Sequence, residues 1–204
     1  GGVALKHIYS TRSILLTRMR MLQLPLSICG LDEIAEFLKR GVTHVISILD
    51  PEYPYPEELL VIPVGNRLVL RFDDATLAQA DRIYPVKGDM ERLIKWVKGL
   101  ADETGVRLLI HCHAGVSRST AAAAITMASL NPGHESEIFE HIDDIRSRNW
   151  PNSLMVNIAD ELLGCGGALN SALRAHHERR ATRDPELAEL IIRHGRAHEV
   201  PNGA

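Results

Sequence analysis

The sequence is short of cysteine, of aromatic residues and of long apolar runs, and each shortage excludes something. Its three cysteines, Cys29, Cys112 and Cys165, are far apart and odd in number among 204 residues. They make no disulfide framework, so a reducing, cytoplasmic setting is expected. No apolar run reaches the roughly 18 residues of a membrane-spanning helix, so no membrane partner is expected. Positive charge is not in excess: 23 Lys and Arg face 26 Asp and Glu, a formal net charge of −3. A chain that gripped nucleic acid through its phosphates would carry the opposite balance, so no nucleic-acid partner is expected. Only 4% of residues are aromatic, yet the 45% hydrophobic share is that of an ordinary globular chain with a real core.

Three sections are expected: an arm over 1–22, a main domain over 23–166, and a helical extension over 167–204 packed on or trailing from it. The arm carries Lys6, Arg12, Arg18 and Arg20, and no acid precedes Asp32. Arg18 and Arg20 interrupt its apolar stretch, which spoils it as a secretory signal. In the extension, Arg179, Arg180 and Arg183 are offset by Glu178, Asp184 and Glu186, which reads as a solvated face.

The main domain alternates apolar runs with helical periodicity. Strands are expected in "PLSICG", "THVISILD", "NRLVLRF" and "VRLLIH". "LDEIAEFLKRG" places Leu31, Ile34, Ala35 and Leu38 on one helical face, with Gly41 where a C-cap belongs. Three prolines make "DPEYPYPEE" a loop. A short helix is expected between Thr76 and Tyr84, where Thr76 and Gln79 match a capping box. Met90, Leu93, Ile94, Val97 and Leu100 recur at helical spacing, with Trp96 and Val97 read as core. Three or more helices follow the last strand, the third beginning after Pro151 with Asn152 as N-cap. Strands buried on both faces and joined by helices predict an α/β fold, with a mostly parallel central sheet of about four to five strands flanked by helices.

The chemistry concentrates in "LLIHCHAGVSRSTAAAAITMASL". Cys112 ends a buried strand, and His113, Ala114, Gly115, Val116 and Ser117 separate it from Arg118, where a helix begins. Such a loop offers unpaired backbone N–H groups and the positive end of a helix dipole, which together hold an oxyanion. Gly115 lets the backbone curl around that anion. The same field favours a thiolate. The planar fork of Arg118 suits two phosphate oxygens, and Ser119 is placed to donate a hydroxyl hydrogen bond to the sulfur. A thiolate aimed into a phosphate cradle is a nucleophile for phosphoryl transfer. Cys-x5-Arg alone is a weak signal. The preceding His111, the Gly at the third loop position, the Ser after the Arg and the strand-to-helix setting make it specific. The Ala run from Ala121 to Ala124 reads as structural, its small side chains letting the helix pack closely beneath the loop.

"HCHAGVSRS" resembles the signature loop of the cysteine-dependent protein tyrosine phosphatase superfamily, and HCxAGxSRS in particular resembles its dual-specificity branch. The likeness runs from "PLSICG" to "ELLG", about two thirds of the chain, in its order of elements. The low-molecular-weight phosphatases carry a similar loop near their N-terminus, so the mid-chain Cys112 fits that branch poorly. The resemblance implies the phosphatase fold and hydrolysis of phosphotyrosine, with phosphoserine and phosphothreonine as further substrates, through a phosphocysteine intermediate. It implies catalysis without metal or cofactor and a phosphorylated protein or peptide as partner. By position, Cys112 is the nucleophile, Arg118 the phosphate clamp, Ser119 the hydroxyl that assists breakdown of the intermediate, and His111 a shaper of the loop. The family's general acid lies some tens of residues upstream, just after a strand, where "LRFDDAT" supplies Asp73 and Asp74. Asp74 is favoured and Asp73 is the alternative; either is equally suited to capping the next turn.

Other features are read around this core. Tyr53 and Tyr55 suit either the mouth of the pocket or an ordinary surface loop. Cys29 and Cys165 are read as small core residues, with Cys29 in a neighbouring strand a redox partner of Cys112 if the two approach. Ten histidines invite a metal reading, but "HCH" sends adjacent side chains in different directions, so no metal site is expected. Without lysines in the loop, a highly charged lipid headgroup is a poor substrate. A non-protein phosphate (an RNA 5′-phosphate, a nucleotide or an inositol phosphate) and a silent phospho-binding module stand as alternatives.

Overall fold

The structure is a computed structural model, and it describes residues 24–77 and 80–201. The arm expected over 1–22 lies outside the described residues. The sheet has four strands: β1 (Leu26–Cys29), β2 (His44–Leu49), β3 (Arg67–Arg71) and β4 (Leu108–His111). All run parallel, in the order β1-β4-β2-β3. Each expected strand is present. β2 and β4 are buried at every position because helices or loops cover both faces.

Among the described residues seven α-helices surround the sheet: α1 (Ile34–Leu38), α2 (Lys87–Gly99), α3 (Arg118–Leu130), α4 (Glu135–Ile145), α5 (Ser153–Leu163), α6 (Ala168–Arg183) and α7 (Pro185–Arg193). The larger core lies on the face covered by α2 to α6 and takes in Ile46, Leu70, Leu93, Ile110, Phe139 and Ala121 through Ala124. Alternation along the strands sends Cys29, Val45 and Leu109 to the opposite face, where they pack with Ile34, Leu59 and Ile62. Asn152 caps α5 as expected, accepting the Met155 N–H at 3.1 Å, and Gly164 ends that helix at φ 69°.

Two expectations fail. No helix forms among the described residues between Thr76 and Tyr84. The ends of that segment are instead tied together: the Asp73 N–H donates to the Ile83 carbonyl at 2.7 Å, and the Ile83 N–H donates to Asp73 Oδ2 at 2.8 Å. This closure makes a loop of what local capping signals favoured as a helix; Gln79, half of the capping box, lies outside the described residues. Nor is the Arg179–Arg183 stretch wholly solvated, since Arg180 is buried and paired with Asp143 and Asp184 at 3.7 and 3.6 Å. α6 turns that face inward against α4, so the helix spends one arginine on the interface. Among the described residues no helix is long and apolar enough to cross a membrane.

Candidate active site

The strand order fixes where the site is. β4 is central, so Cys112 emerges at the carboxyl edge of the sheet, flanked by the ends of β1 and β2. Crevices at that edge are where open α/β sheets bind ligands. Gly30, Asp50 and the Phe72–Asp74 segment leave the other three strands at the same edge.

The loop 112–118 is held from outside by its carbonyls. The Leu31 N–H donates to the His113 carbonyl at 2.9 Å, and the Trp150 and Asn152 N–H groups reach the Val116 and Ser117 carbonyls at 2.8 and 3.3 Å. Arg146 donates to Gly115 O at 3.1 Å and Ala114 O at 3.2 Å while its other arm meets Glu33 at 2.7 Å. Every carbonyl of the loop from His113 to Ser117 is thus engaged by a neighbouring segment. Among the described residues no protein acceptor takes the N–H groups of residues 113–117. Gly115 is required here: at φ 68° a Cβ would meet the Cys29 carbonyl carbon and the Gly30 nitrogen, both at 2.6 Å.

Cys112 is 3% exposed, and its Sγ lies 3.2 Å from Ser119 Oγ. Arg118 is 4% exposed. Its Nη1 donates to Asp50 Oδ1 at 2.6 Å and to the Phe72 carbonyl at 2.7 Å. Its Nε is buried without a hydrogen-bond partner. Two neighbouring loops thus fix the guanidinium by one nitrogen and leave a donor aimed elsewhere, the arrangement a bidentate clamp needs. His111 is fully buried, with Nε2 2.7 Å from Ser47 Oγ and Nδ1 3.4 Å from the Cys112 carbonyl. Burial pushes its pKa down to about 4, so the ring is neutral and braces the loop.

The two aspartates separate. Asp74 Oδ1 accepts hydrogen bonds from Ser117 Oγ at 2.7 Å and Asn152 Nδ2 at 2.9 Å, and Arg196 Nη1 lies 3.3 Å from both carboxylate oxygens. Burial raises the pKa of Asp74, but Arg196, Arg118 and the Asn152 and Ser117 hydrogen bonds outweigh it and hold the carboxyl below its ordinary value. Asp73 points away and pins the far end of its loop at Ile83.

The tyrosines also separate. Tyr53 packs edge-on against His113, ring centroids 4.5 Å apart, at the rim of the loop. Tyr55 packs into the smaller core beneath. His113 Nε2 accepts the Asp50 N–H at 3.2 Å. Cys29 pairs in register with His111 and so faces the other side of the sheet from Cys112. Burial raises the Cys29 pKa to about 12, so its thiol is not the attacking form at neutral pH. Cys165 is half-buried beside the larger core, as a packing residue.

Sequence reasoning missed Asp50, Arg146 and Arg196, and saw Asn152 only as a helix cap. For Asp50 a signal existed, since "SILDPE" places an acid directly at the carboxyl end of a strand. For Arg146 and Arg196 there was none.

No family model matches the sequence, and no curated protein matches it. Solved structures do. The chain is similar to the PTP-2 phosphatase of Cydia pomonella, with 23% identity, a TM-score of 0.55, and coverage of 70% of this chain and 87% of that one. It is similar to DUSP15 at 21% identity and a TM-score of 0.52, over 74% of this chain and 89% of that one. A human tyrosine phosphatase-like serine/threonine/tyrosine-interacting protein matches at 19% identity and a TM-score of 0.51, over 68% and 87% of the two chains. At these identities the likeness is one of fold: an α/β fold of the dual-specificity and protein tyrosine phosphatase type.

Proposed function

We propose that this protein is a phosphoric monoester hydrolase that removes phosphate from tyrosine side chains, and from serine and threonine where the cradle admits them, through a phosphocysteine intermediate. The observation that carries the reading is the sulfur of Cys112 at the start of a loop whose N–H groups meet no protein acceptor among the described residues, beside an Arg118 whose buried Nε has no partner. In the first step the Cys112 thiolate attacks phosphorus. The P–O ester bond breaks, and the leaving oxygen takes its electron pair and a proton from Asp74. In the second, water gives a proton back to Asp74 as its oxygen attacks phosphorus. The P–S bond breaks, and Ser119, 3.2 Å from the sulfur, donates a hydrogen bond to the departing thiolate.

Asp74 serves as the acid and Asp73 as a loop fastener, because only Asp74 contacts the cradle, through Ser117. A phosphate dianion beside Arg118 offsets one of the cations that hold Asp74 ionised, which favours the protonated acid when substrate is bound. With the free-enzyme pKa held below its ordinary value, the basic limb of kcat/KM is expected to begin on the acid side of the usual carboxylate range. The rim formed by Tyr53 and His113 offers an edge for an aromatic phosphoester.

The test is hydrolysis of phosphotyrosine, phosphoserine and phosphothreonine peptides by wild type and Cys112→Ser with EDTA present throughout. Release from phosphotyrosine alone means a deep cradle, and release from all three means dual specificity. Turnover by Cys112→Ser near the wild-type rate contradicts the covalent mechanism. No release from any peptide, with Cys112 readily alkylated, moves the substrate to a non-protein phosphate. Binding of phosphate by a wild type that turns over no ester of either kind means a phospho-binding module.

A further inference from the structure

We propose that Arg196, on the turn that closes the C-terminal helical segment, is a positioning residue for Asp74, so that this segment completes the catalytic site. The inference rests on Asp74 being the general acid.

Arg196 stands 122 residues after Asp74 in sequence yet is buried against it. One nitrogen, Nη1, serves both the loop and the acid: it donates to Ser117 Oγ at 2.8 Å and lies 3.3 Å from each Asp74 oxygen. Ser117 in turn donates to Asp74 Oδ1. The arginine is itself held in place from behind. Its Nε donates to Glu199 Oε2 at 2.8 Å, and its Nη2 pairs with the same oxygen at 2.6 Å. Glu199 is buried and takes two further donors, Trp150 Nε1 at 3.1 Å and the Ser153 N–H at 2.8 Å. Trp150 is fully buried against Ala181, Leu187, Ala188 and Ile191, with Val116 of the loop and Val200 of the tail packed on the same cluster. One buried unit therefore joins the segment 184–200 to the cradle and ends in a cation on the acid. Exposed pairs contribute little to order, but the buried, multiply bonded Arg196–Glu199 pair fixes the guanidinium that meets the half-buried Asp74.

Titratable and charged groups face Asp74 from two sides. Arg118 and His113 approach from the loop, with Asp50 of the β2 end as their counter-ion. Arg196 approaches from the tail, with Glu199 behind it and His177 of α6 beside that pair. Removing Arg196 leaves a carboxyl that is less tightly placed and easier to protonate. These two consequences have opposite signs, and a purely structural role would not produce the second.

The experiment compares wild type, Asp74→Asn, Arg196→Lys and Arg196→Met on p-nitrophenyl phosphate, whose leaving group needs little protonation, and phenyl phosphate, whose leaving group needs much. Rates are followed across the pH range, and tryptophan emission in a Trp96→Phe background reports whether the segment stays docked on Trp150. For Arg196→Met, kcat/KM on phenyl phosphate is expected to fall at its plateau by about tenfold to a hundredfold. Its basic limb is expected to move to higher pH by roughly one unit or more. On p-nitrophenyl phosphate the loss stays within a few-fold. Arg196→Lys keeps the basic limb near the wild-type position and loses part of the phenyl phosphate plateau; it decides the matter if Arg196→Met does not fold. Equal losses on both esters with an unmoved basic limb overturn the inference. If Asp74→Asn discriminates between the esters and neither Arg196 variant does, the positioning role fails alone. If Asp74→Asn slows both esters alike, the general-acid reading fails and takes this inference with it.

Discussion

Two helices in this protein begin beside buried polar groups, and their N-termini are treated in opposite ways. At α6 the Asp160 carboxylate fills the helix end, accepting the Gly167 N–H at 2.7 Å and the Leu169 and Asn170 N–H groups at 2.9 and 3.1 Å. At α3 no side chain caps the helix. The residue in position to do so, Ser117, turns its hydroxyl to Asp74 instead. Both ends carry the same partial positive charge and the same surplus of donors. A stability-driven sequence would treat them alike. The difference shows that donors at α3 are kept from protein acceptors while every loop carbonyl from His113 to Ser117 is tied outward. One helix end is finished by the fold, and the other is left without a side-chain cap, as the proposed phosphate cradle requires.

The contrast can be broken from either side. The largest effect is expected for Arg118→Lys. It keeps the charge but loses the fork held by Asp50 and Phe72, so kcat/KM should drop on the order of a thousandfold with thermal stability nearly unchanged. A large loss of stability in that variant would make Arg118 a structural ion-pair residue. Asp160→Ala should behave in reverse. It removes the acceptor of three donors at α6, of which the Leu169 N–H is buried, and a cost of about 2 kcal/mol is expected, with the kinetics of peptide hydrolysis untouched. For a chain of this size that corresponds to a fall in Tm of roughly 4–8 °C. A kinetic defect at full stability would tie α6 to the chemistry.

The smallest effect concerns pH. His176 and His177 lie against Phe139 and Trp150, and burial lowers their pKa values to about 3 and about 4. The folded state therefore refuses protons that the unfolded chain accepts below its histidine pKa near 6.5. Stability from these rings is complete above that pH and declines as pH falls, by up to about 2 kcal/mol for each ring by pH 5. His177→Phe should flatten this decline in an unfolding series between pH 7 and pH 5. An unchanged slope would assign the acid sensitivity to carboxylates such as Asp74 and Glu33, whose pKa values are held low.

What was legible in the sequence follows the range of the forces involved. The four strands and their helices announce themselves through local periodicity, and the cradle residues are contiguous, so Cys112, Gly115, Arg118 and Ser119 could be read together. Asp74 was favoured over Asp73 with little in the sequence to separate them, because what distinguishes their surroundings is a contact 43 residues away at Ser117. The helix expected over 76–84 shows the same limit: its local capping pattern lost to a closure between Asp73 and Ile83. Arg180 read as one charge among many until α6 packed it against Asp143. Arg146 and Arg196 act on the site through tertiary contacts alone, from 31 and 79 residues beyond the loop positions they hold. No spacing rule reaches that far.

The most direct test of the central claim is to trap the intermediate. Wild-type protein would be acid-quenched during turnover of p-nitrophenyl phosphate and its intact mass and peptide map measured, beside Cys112→Ser treated in the same way. The account predicts a single phosphoryl adduct on the Cys112 sulfur in wild type and none in the variant. Turnover with the adduct on another residue, or an adduct that survives in Cys112→Ser, would contradict it.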